Sequence, residues 1–580
     1  MKLHLLSSKY RTMLTLTLGA CAVVLTPIAQ SQVVIAPNPP VIGSSNTAYA
    51  DPLVTHPNTT PCKVTLFTNL EFADFNTKNY TYTPPKSCAG PWAKVVFKAD
   101  FTMTAGRQFD RTAQFFLGGA NLYFGTTVEP RATLSPSWHV ESDVTDLSAL
   151  LATTQAGTAI LGNFVGESGG VDYTGIIYAN SELDFYPPDA KNPVTETPEV
   201  VIGLQGNGGA ATLNSTTSQL TDTVTLPTNV ERAYLDVIAQ SQSNDEFWYL
   251  CVPNDLASEL QSCGSTGFRE TEVSIDGVPA GVAPVYPWIY TGGIDPYLWE
   301  PIPGVQTLNF KPFRVDLTPF AGVLSNGKPH TVAISVFNAD SYFAATGTLL
   351  AYTDSGSKQV TGEIVSNTLA ASPTPVVTNK IVTDSSGNVS GSVTVASARK
   401  YAIEGKIVTS HGTVISMVNG NLAFSNSQQF VINNSAYKQN LVQSTTGEIT
   451  TTTSVGGVKT VSKKLLSYPF TFDYDETVNA DGTIVVHNAS NQIYEVGTES
   501  PWAGHSVPFL DADVNQVIST DNLYYDASGN YTGHAGNTTQ NYVTGNSTGY
   551  CYSRELTSKN LALTGDSSGN YCQYLYSHNY

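Results

Sequence analysis

The chain has 580 residues and a formal net charge of −19 at pH 7, although charged residues make up only 13% of it. That length divides into about three to five domains, and the acidity excludes nucleic acid, whose phosphates need a basic footprint. Hydrophobic residues at 41% and aromatics at 10% exclude disorder.

Lys2, Lys9 and Arg11 precede an apolar run from Met13 to Ala29, the pattern of an export signal. We expect a signal over residues 1–31, with cleavage as late as the "AYA" at Ala48–Ala50. "LGAC" (Leu18–Cys21) resembles a lipoprotein box, but the apolar run continues past Cys21, so soluble export ranks ahead of anchoring. No other apolar run approaches the ~20 residues that span a membrane. Residues 32–60, rich in Pro, Asn and Thr, read as a linker.

Strand patterns then follow one another. In "AKVVFKADFTMTAG", Val95, Phe97, Ala99, Phe101 and Met103 share one face. "GRQFDR" (Gly106–Arg111) places Asp110 between Phe109 and Arg111, on a probable strand where the two charges face opposite ways. "DVTDLSALL" (Asp143–Leu151) predicts a short helix with Asp146 as N-cap. "GESGG" matches the nucleophile-elbow pattern around Ser168, but the strand-like "VDYTGIIYAN" follows it where an elbow needs a helix. The Pro-rich "FYPPDAKNPVTETP" closes a first domain, 61–190. "RAYLDVIAQ", "TEVSIDG" and "HTVAISVFN" alternate within a second, 199–370, which ends at "AASPTPVV". Inside it, "NDEFWY" (Asn244–Tyr249) sets two carboxylates against three aromatics, which favour burial where acids resist it. A β-sandwich over 376–500 and a disulfide-closed tail over 501–580 complete the chain. "DSSGN" at Asp384 and Asp566 and "DASGN" at Asp526 read as hairpin turns, with too few carboxylates for calcium loops.

Cys21 lies in the leader, and the other six cysteines fall into local pairs: Cys62 with Cys88, Cys251 with Cys263, Cys551 with Cys572. Sequence leaves the connectivity open, and local pairing is the economical choice. No C-x-x-C or H-x-x-x-H spacing supports zinc, so no metal or cofactor is expected. His139 and His330 have no motif around them and read as structural.

Several long stretches carry a resemblance. "CAGPWAKVVF", "GRQFDRTAQFFLGGANLYFGTTVEP", "ERAYLDVIAQSQSNDEFWY", "FRETEVSIDG" and "IYTGGIDPYLW" resemble the peptide-N-glycosidase A family between Cys62 and Tyr352, with a weaker echo at "KYAIEGKIVTSHGTV". A more distant likeness is to the bacterial peptide-N-glycosidase F. The resemblance implies an all-β chain: two adjacent jelly-roll β-sandwiches, then a further β-rich C-terminal region. It implies an active site between the sandwiches, with Asp110 from the first and Glu246 from the second. The activity implied is hydrolysis of the amide between asparagine and the innermost N-acetylglucosamine, on N-glycosylated proteins or glycopeptides. Asp110 would activate water, Arg111 would support it or stabilise developing charge, and Glu246 would protonate the leaving nitrogen. A cation near Asp110 would lower its pKa, and apolar neighbours would raise that of Glu246. Candidate substrate contacts are Asp245, Trp248, Asn163, Glu129 and, around the glycine-rich "TGGIDP", Trp288, Tyr290, Asp295, Trp299 and Glu300. The bacterial relative's third carboxylate aligns at Asn163, a neutral residue here. A glycoside hydrolase using the same acids, or a glycan-binding adhesin without catalysis, are the competing readings. The expected protein is a secreted or periplasmic monomer without a membrane span.

Overall fold

The computed structural model describes residues 41–129, 131–205, 208–569 and 572. The export signal and Cys21 lie outside these residues. Among the described residues no helix is long and apolar enough to cross a membrane.

The first region runs through β1 (Cys62–Phe72), β2 (Lys78–Tyr82), β3 (Lys94–Met103), β4 (Thr112–Leu117), β5 (Ala120–Thr126), β6 (Ser137–Asp143), β7 (Gln155–Leu161), β8 (Gly166–Ser168), β9 (Val171–Tyr173) and β10 (Ile177–Tyr186). Two four-stranded sheets, β1-β10-β3-β6 and β2-β7-β4-β5, face each other, and β8-β9 forms a hairpin. The alternation in β3 dictates the packing: Phe97 and Phe101 point inward onto Phe115 of β4, ring centres 6.2 and 5.8 Å apart.

The second region repeats the plan with β11 (Val200–Gly203), β12 (Ala211–Leu213), β13 (Gln219–Val224), β14 (Val230–Gln242), β15 (Glu270–Ile275), β16 (Val278–Pro284), β17 (Phe313–Asp316), β18 (His330–Phe337) and β19 (Tyr342–Thr353). Its sheets run β11-β19-β14-β17 and β13-β18-β15-β16. Both regions thus use one strand path, with an antiparallel first-to-last pairing. The two regions meet along β5, where Phe310 N–H donates to Phe124 O (2.8 Å) and Thr126 N–H to Thr307 O (2.9 Å).

Three expectations need correction. Among the described residues from Thr361 onward, twelve strands form one sheet, not a sandwich plus a tail. The segment 501–580 supplies its last strands, from Phe509–Tyr525 to Ala562–Gly569, because the ladder continues without a break. Residues 43–54 are no free linker: Ala48 N–H donates to Pro301 O, and Ala50 N–H donates to Gln540 Oε1 (2.6 Å) while its carbonyl accepts from Tyr552. A chain cut after Ala50 would lose these bonds. Asp384 and Asp526 close turns by accepting backbone amides, but Asp566 lies within the final strand and pairs with Arg554 (2.9 Å).

The helix at Thr145–Leu151 forms, opening as a 3-10 turn. Its start is held by Asp143, whose Oδ1 accepts Thr145 N–H (3.1 Å), while Asp146 instead pairs with Arg314. The cysteine pairs are Cys62–Cys88, Cys251–Cys263 and Cys551–Cys572. Ser168 sits exposed on the β8-β9 hairpin, turned by Gly169 and Gly170 at positive φ, so there is no elbow. His139 bridges Asp100 and Glu141, and His330 pairs with Asp276, both structural.

Candidate active site

Three loops converge where the two sandwiches meet. The first leads from β3 into β4 and carries Asp110 and Arg111, which precede the strand rather than lie on it. Arg111 is fixed to the segment after β5: its N–H donates to Thr127 Oγ1 (2.8 Å) and its carbonyl accepts Thr127 N–H (2.8 Å). That pairing draws Glu129 alongside, and Asp110 N–H donates to Glu129 Oε2 (3.4 Å).

The second loop follows β14. It turns at Ser243, a non-glycine residue at φ 55°, into a 3-10 turn ending at Asp245. The adjacent acids divide their work. Asp245 is fully buried: Oδ1 pairs with Arg269 (2.8 Å), and Oδ2 accepts the amides of Asp340, Ser341 and Tyr342. With its neighbour locked inward, Glu246 projects the other way, half-buried in the cleft.

The third loop is "TGGIDP" (Thr291–Pro296). Thr291 Oγ1 accepts Glu129 N–H (2.8 Å), and Gly292 N–H donates to Asp110 Oδ2 (3.1 Å). A Cβ on Gly292 would lie 2.0 Å from Glu129 Oε2 and 3.1 Å from Asp110 Oδ1, so a side chain there would force the Glu129 carboxylate to move. Next to it, a Cβ on Gly293 would lie 3.3 Å from the ring of Phe247, the neighbour of Glu246.

Asp110, Glu129 and Glu246 therefore face one another. Burial pushes Glu129 up to about 7, with Asp110 adding to it. Burial likewise pushes Glu246 up to about 7, and both other acids add. Asp110 is raised as well: its burial outweighs the Gly292 amide and Arg111, which favour its charged form. Arg111 thus acts in the direction expected of a cation, but burial outweighs it. Arg111 turns its guanidinium over Phe109 (5.6 Å to the ring centre) and donates to the Asp110 carbonyl and to Gln108.

Most of the other expected substrate contacts are buried or bonded within the protein. Trp248 is wholly buried against Tyr249 and Phe424, and Trp288 against Phe310 (4.3 Å), because each follows the inward side of its loop. Asp245 is an anchor. Asn163 is buried and donates to Phe72 O and Gly175 O, bracing the loop under Gln108. Trp299 donates to Gly293 O (2.9 Å), and Asp295 caps the next turn through Tyr297 N–H (3.0 Å). Tyr290 is buried with its hydroxyl bound to Ser241 O. Glu300, paired with Arg131 (3.1 Å), and Phe247 remain partly open at the cleft. Sequence reasoning missed the Gly292 amide as a ligand of Asp110, and Arg269 as the partner of Asp245. The paired glycines of "TGG" were the available signal for the first.

The stretch that builds this cluster is also what the comparisons recognise. Residues 52–370 match the model of "Peptide N-acetyl-beta-D-glucosaminyl asparaginase amidase A". The chain belongs to this family. Residues 392–470 match that family's C-terminal domain. A curated relative from Prunus dulcis, "Peptide-N4-(N-acetyl-beta-glucosaminyl)asparagine amidase A", is 26% identical over 528 residues, covering 85% of this chain and 86% of its own. Among solved structures, PNGase F of Flavobacterium meningosepticum is 14% identical, with 51% of this chain and 96% of that one covered at a TM-score of 0.34. PNGF-II is 13% identical, covering 50% and 66%, at a TM-score of 0.35. Asp110, Glu129 and Glu246 all lie within the matched stretch.

Proposed function

We propose that this chain is a glycoamidase that hydrolyses the amide between asparagine and the innermost N-acetylglucosamine of N-glycoproteins or glycopeptides. The observation that carries the reading is the three-carboxylate cluster, closed by the Gly292 amide, inside the family-matched stretch. In this reading ionised Asp110 takes a proton from water as its oxygen attacks the amide carbon. Glu129, held neutral by burial, offers its O–H to the carbonyl oxygen as charge develops there. Protonated Glu246 transfers its proton to the nitrogen as the C–N bond breaks. The products are a peptide aspartate and a glycosylamine. Arg111 holds the Asp110 loop and favours that carboxylate's charged form against the effect of burial, rather than touching substrate. Glu300, partly open, is the expected substrate contact we retain, and we add Phe247 to it. Three disulfides fit an oxidising compartment, so we place the enzyme outside the cytoplasm.

Mass analysis of a treated glycopeptide tests this. The amidase leaves aspartate at the glycosylated position. Asparagine still carrying sugar would assign the acids to glycoside hydrolysis, and an intact glycopeptide would leave only binding.

A further inference from the structure

The inner face of the C-terminal sheet carries polar side chains among its buried apolar ones, where burial would favour apolar side chains throughout. Asn426, Gln428, Asn488, Gln492 and Ser519 are all fully buried there. Their partners are groups of the two loops that carry Glu246 and Gly292, main-chain ones except for the Asp295 carboxylate. Asn426 donates to Tyr249 O (2.7 Å), Gln439 to Leu250 O (2.9 Å) and Gln428 to Cys251 O (2.9 Å), behind Glu246. Gln492 donates to Pro287 O (2.6 Å) and accepts Val305 N–H (2.8 Å). Asn488 donates to Asp295 (2.9 Å), and Ser519 to Leu298 O (2.7 Å), behind Gly292.

The register makes this one device. Asn426 pairs with Gln443, Gln443 with Phe470, and Phe470 with Gln492, so the grips on both loops lie in a single cross-strand row. A second row runs Gln428, Leu441, Phe472, Ser490, Ser519, and a third Gln439, Tyr474, Asn488. Paired residues in an antiparallel sheet share a face. Three strand steps separate Asn426 from Gln492, about 14 Å at the usual strand spacing. Both loops are irregular, so their carbonyls find no ladder partner and need side-chain donors.

We propose that the C-terminal sheet is a template that sets the spacing of the Glu246 loop from the Gly292–Asp110 loop, with Asn426 and Gln492 as positioning residues. This rests on the glycoamidase reading for its catalytic consequence, though not for the loop ordering itself.

The test uses the full chain with Asn426→Leu and Gln492→Met, which keep volume and remove the donor. Gln540→Met serves as control: it lies in the same row but grips Ala50 rather than either loop. Hydrogen exchange is followed at 244–251 and 287–299, beside kcat, KM and Tm. We expect faster exchange in the loop that each variant releases and a fall in kcat of about 10- to 100-fold at little-changed KM, as displacement of catalytic groups by about an ångström produces. The control should lose stability alone. Folded variants with wild-type exchange at both loops, or loosened loops with wild-type kcat, would overturn the template. A wild-type chain that leaves glycopeptides intact defeats the glycoamidase reading instead, and the exchange data still decide whether the sheet orders the loops.

Discussion

The chemistry proposed for the cleft depends on which carboxyl holds a proton. Asp110→Asn preserves size and hydrogen bonding at the Gly292 amide but removes the base. We expect deglycosylation to fall about 10³-fold without loss of fold, the scale of an essential acid–base group, and near-normal turnover would remove Asp110 from the mechanism. Glu246 and Glu129, both pushed to about 7, must be neutral to donate. Activity should therefore fade as pH rises through about 7, and as pH falls far enough to protonate Asp110. The profile of kcat/KM against pH is then a bell centred at mildly acidic pH, its limbs belonging to the cluster as a whole. In Glu246→Gln, a basic limb that persists unchanged in an active enzyme would deny Glu246 the donor's role. Gly292→Ala gives a steric test of the same cluster, because its methyl would meet the Glu129 carboxylate at 2.0 Å. We expect a folded protein with most activity lost, read by circular dichroism alongside turnover.

At the scale of elements, the loop after β14 is held by two kinds of constraint. Asp245 ties it to β19 through three amides and to Arg269, and Cys251–Cys263 closes the chain just beyond it. Removing one partner of a buried pair leaves an uncompensated charge, so Arg269→Met should cost about 3 kcal/mol or more in denaturant unfolding. A cost near zero would mean that the three amides alone satisfy Asp245. The disulfide closes a short loop, and its chain-entropy contribution is correspondingly modest. Replacing both cysteines by serine should thus lower kcat more than its loss of stability accounts for.

For the whole molecule, acid groups buried without full compensation are a recurring feature. Beyond the cleft, burial pushes Glu270 and Glu272 to about 7, and Asp295 and Asp511 to about 6. Each has a folded pKa above its ordinary value, so the folded chain keeps protons that the unfolded chain releases. Their contribution to stability is fully present below about pH 4 and is lost as pH rises through 6 to 7, the range of these folded pKa values. A net charge of −19 at pH 7 adds self-repulsion in the same direction. We expect a higher Tm at pH 5 than at pH 8 by calorimetry, and a Tm that rises with pH over that span would contradict it.

The sequence by itself determined what depends on neighbours in the chain. Alternation in "AKVVFKADFTMTAG" gave the inward face of β3, Asp384 and Asp526 gave their turns, and the economical local pairing of the cysteines is the one the structure has. The family motifs, read residue by residue, pointed to Asp110 and Glu246. Tertiary structure decided the rest. Nothing local tells Asp245 from Glu246; the amides of Asp340–Tyr342 and the guanidinium of Arg269, far along the chain, made one an anchor and left the other facing the cleft. Trp248 and Trp288 looked like platforms for sugars until their partners Phe424 and Phe310 placed them in the core. The C-terminal region was least legible. Burial is usually announced by apolar side chains, and here Asn426, Gln428, Asn488 and Gln492 share the buried face with apolar residues such as Phe424, Leu441 and Phe470, while polar residues stand outside as well. A period of two tells which side chains share a face, but only the loops that arrive there determine whether that face meets water or the backbone of an active site.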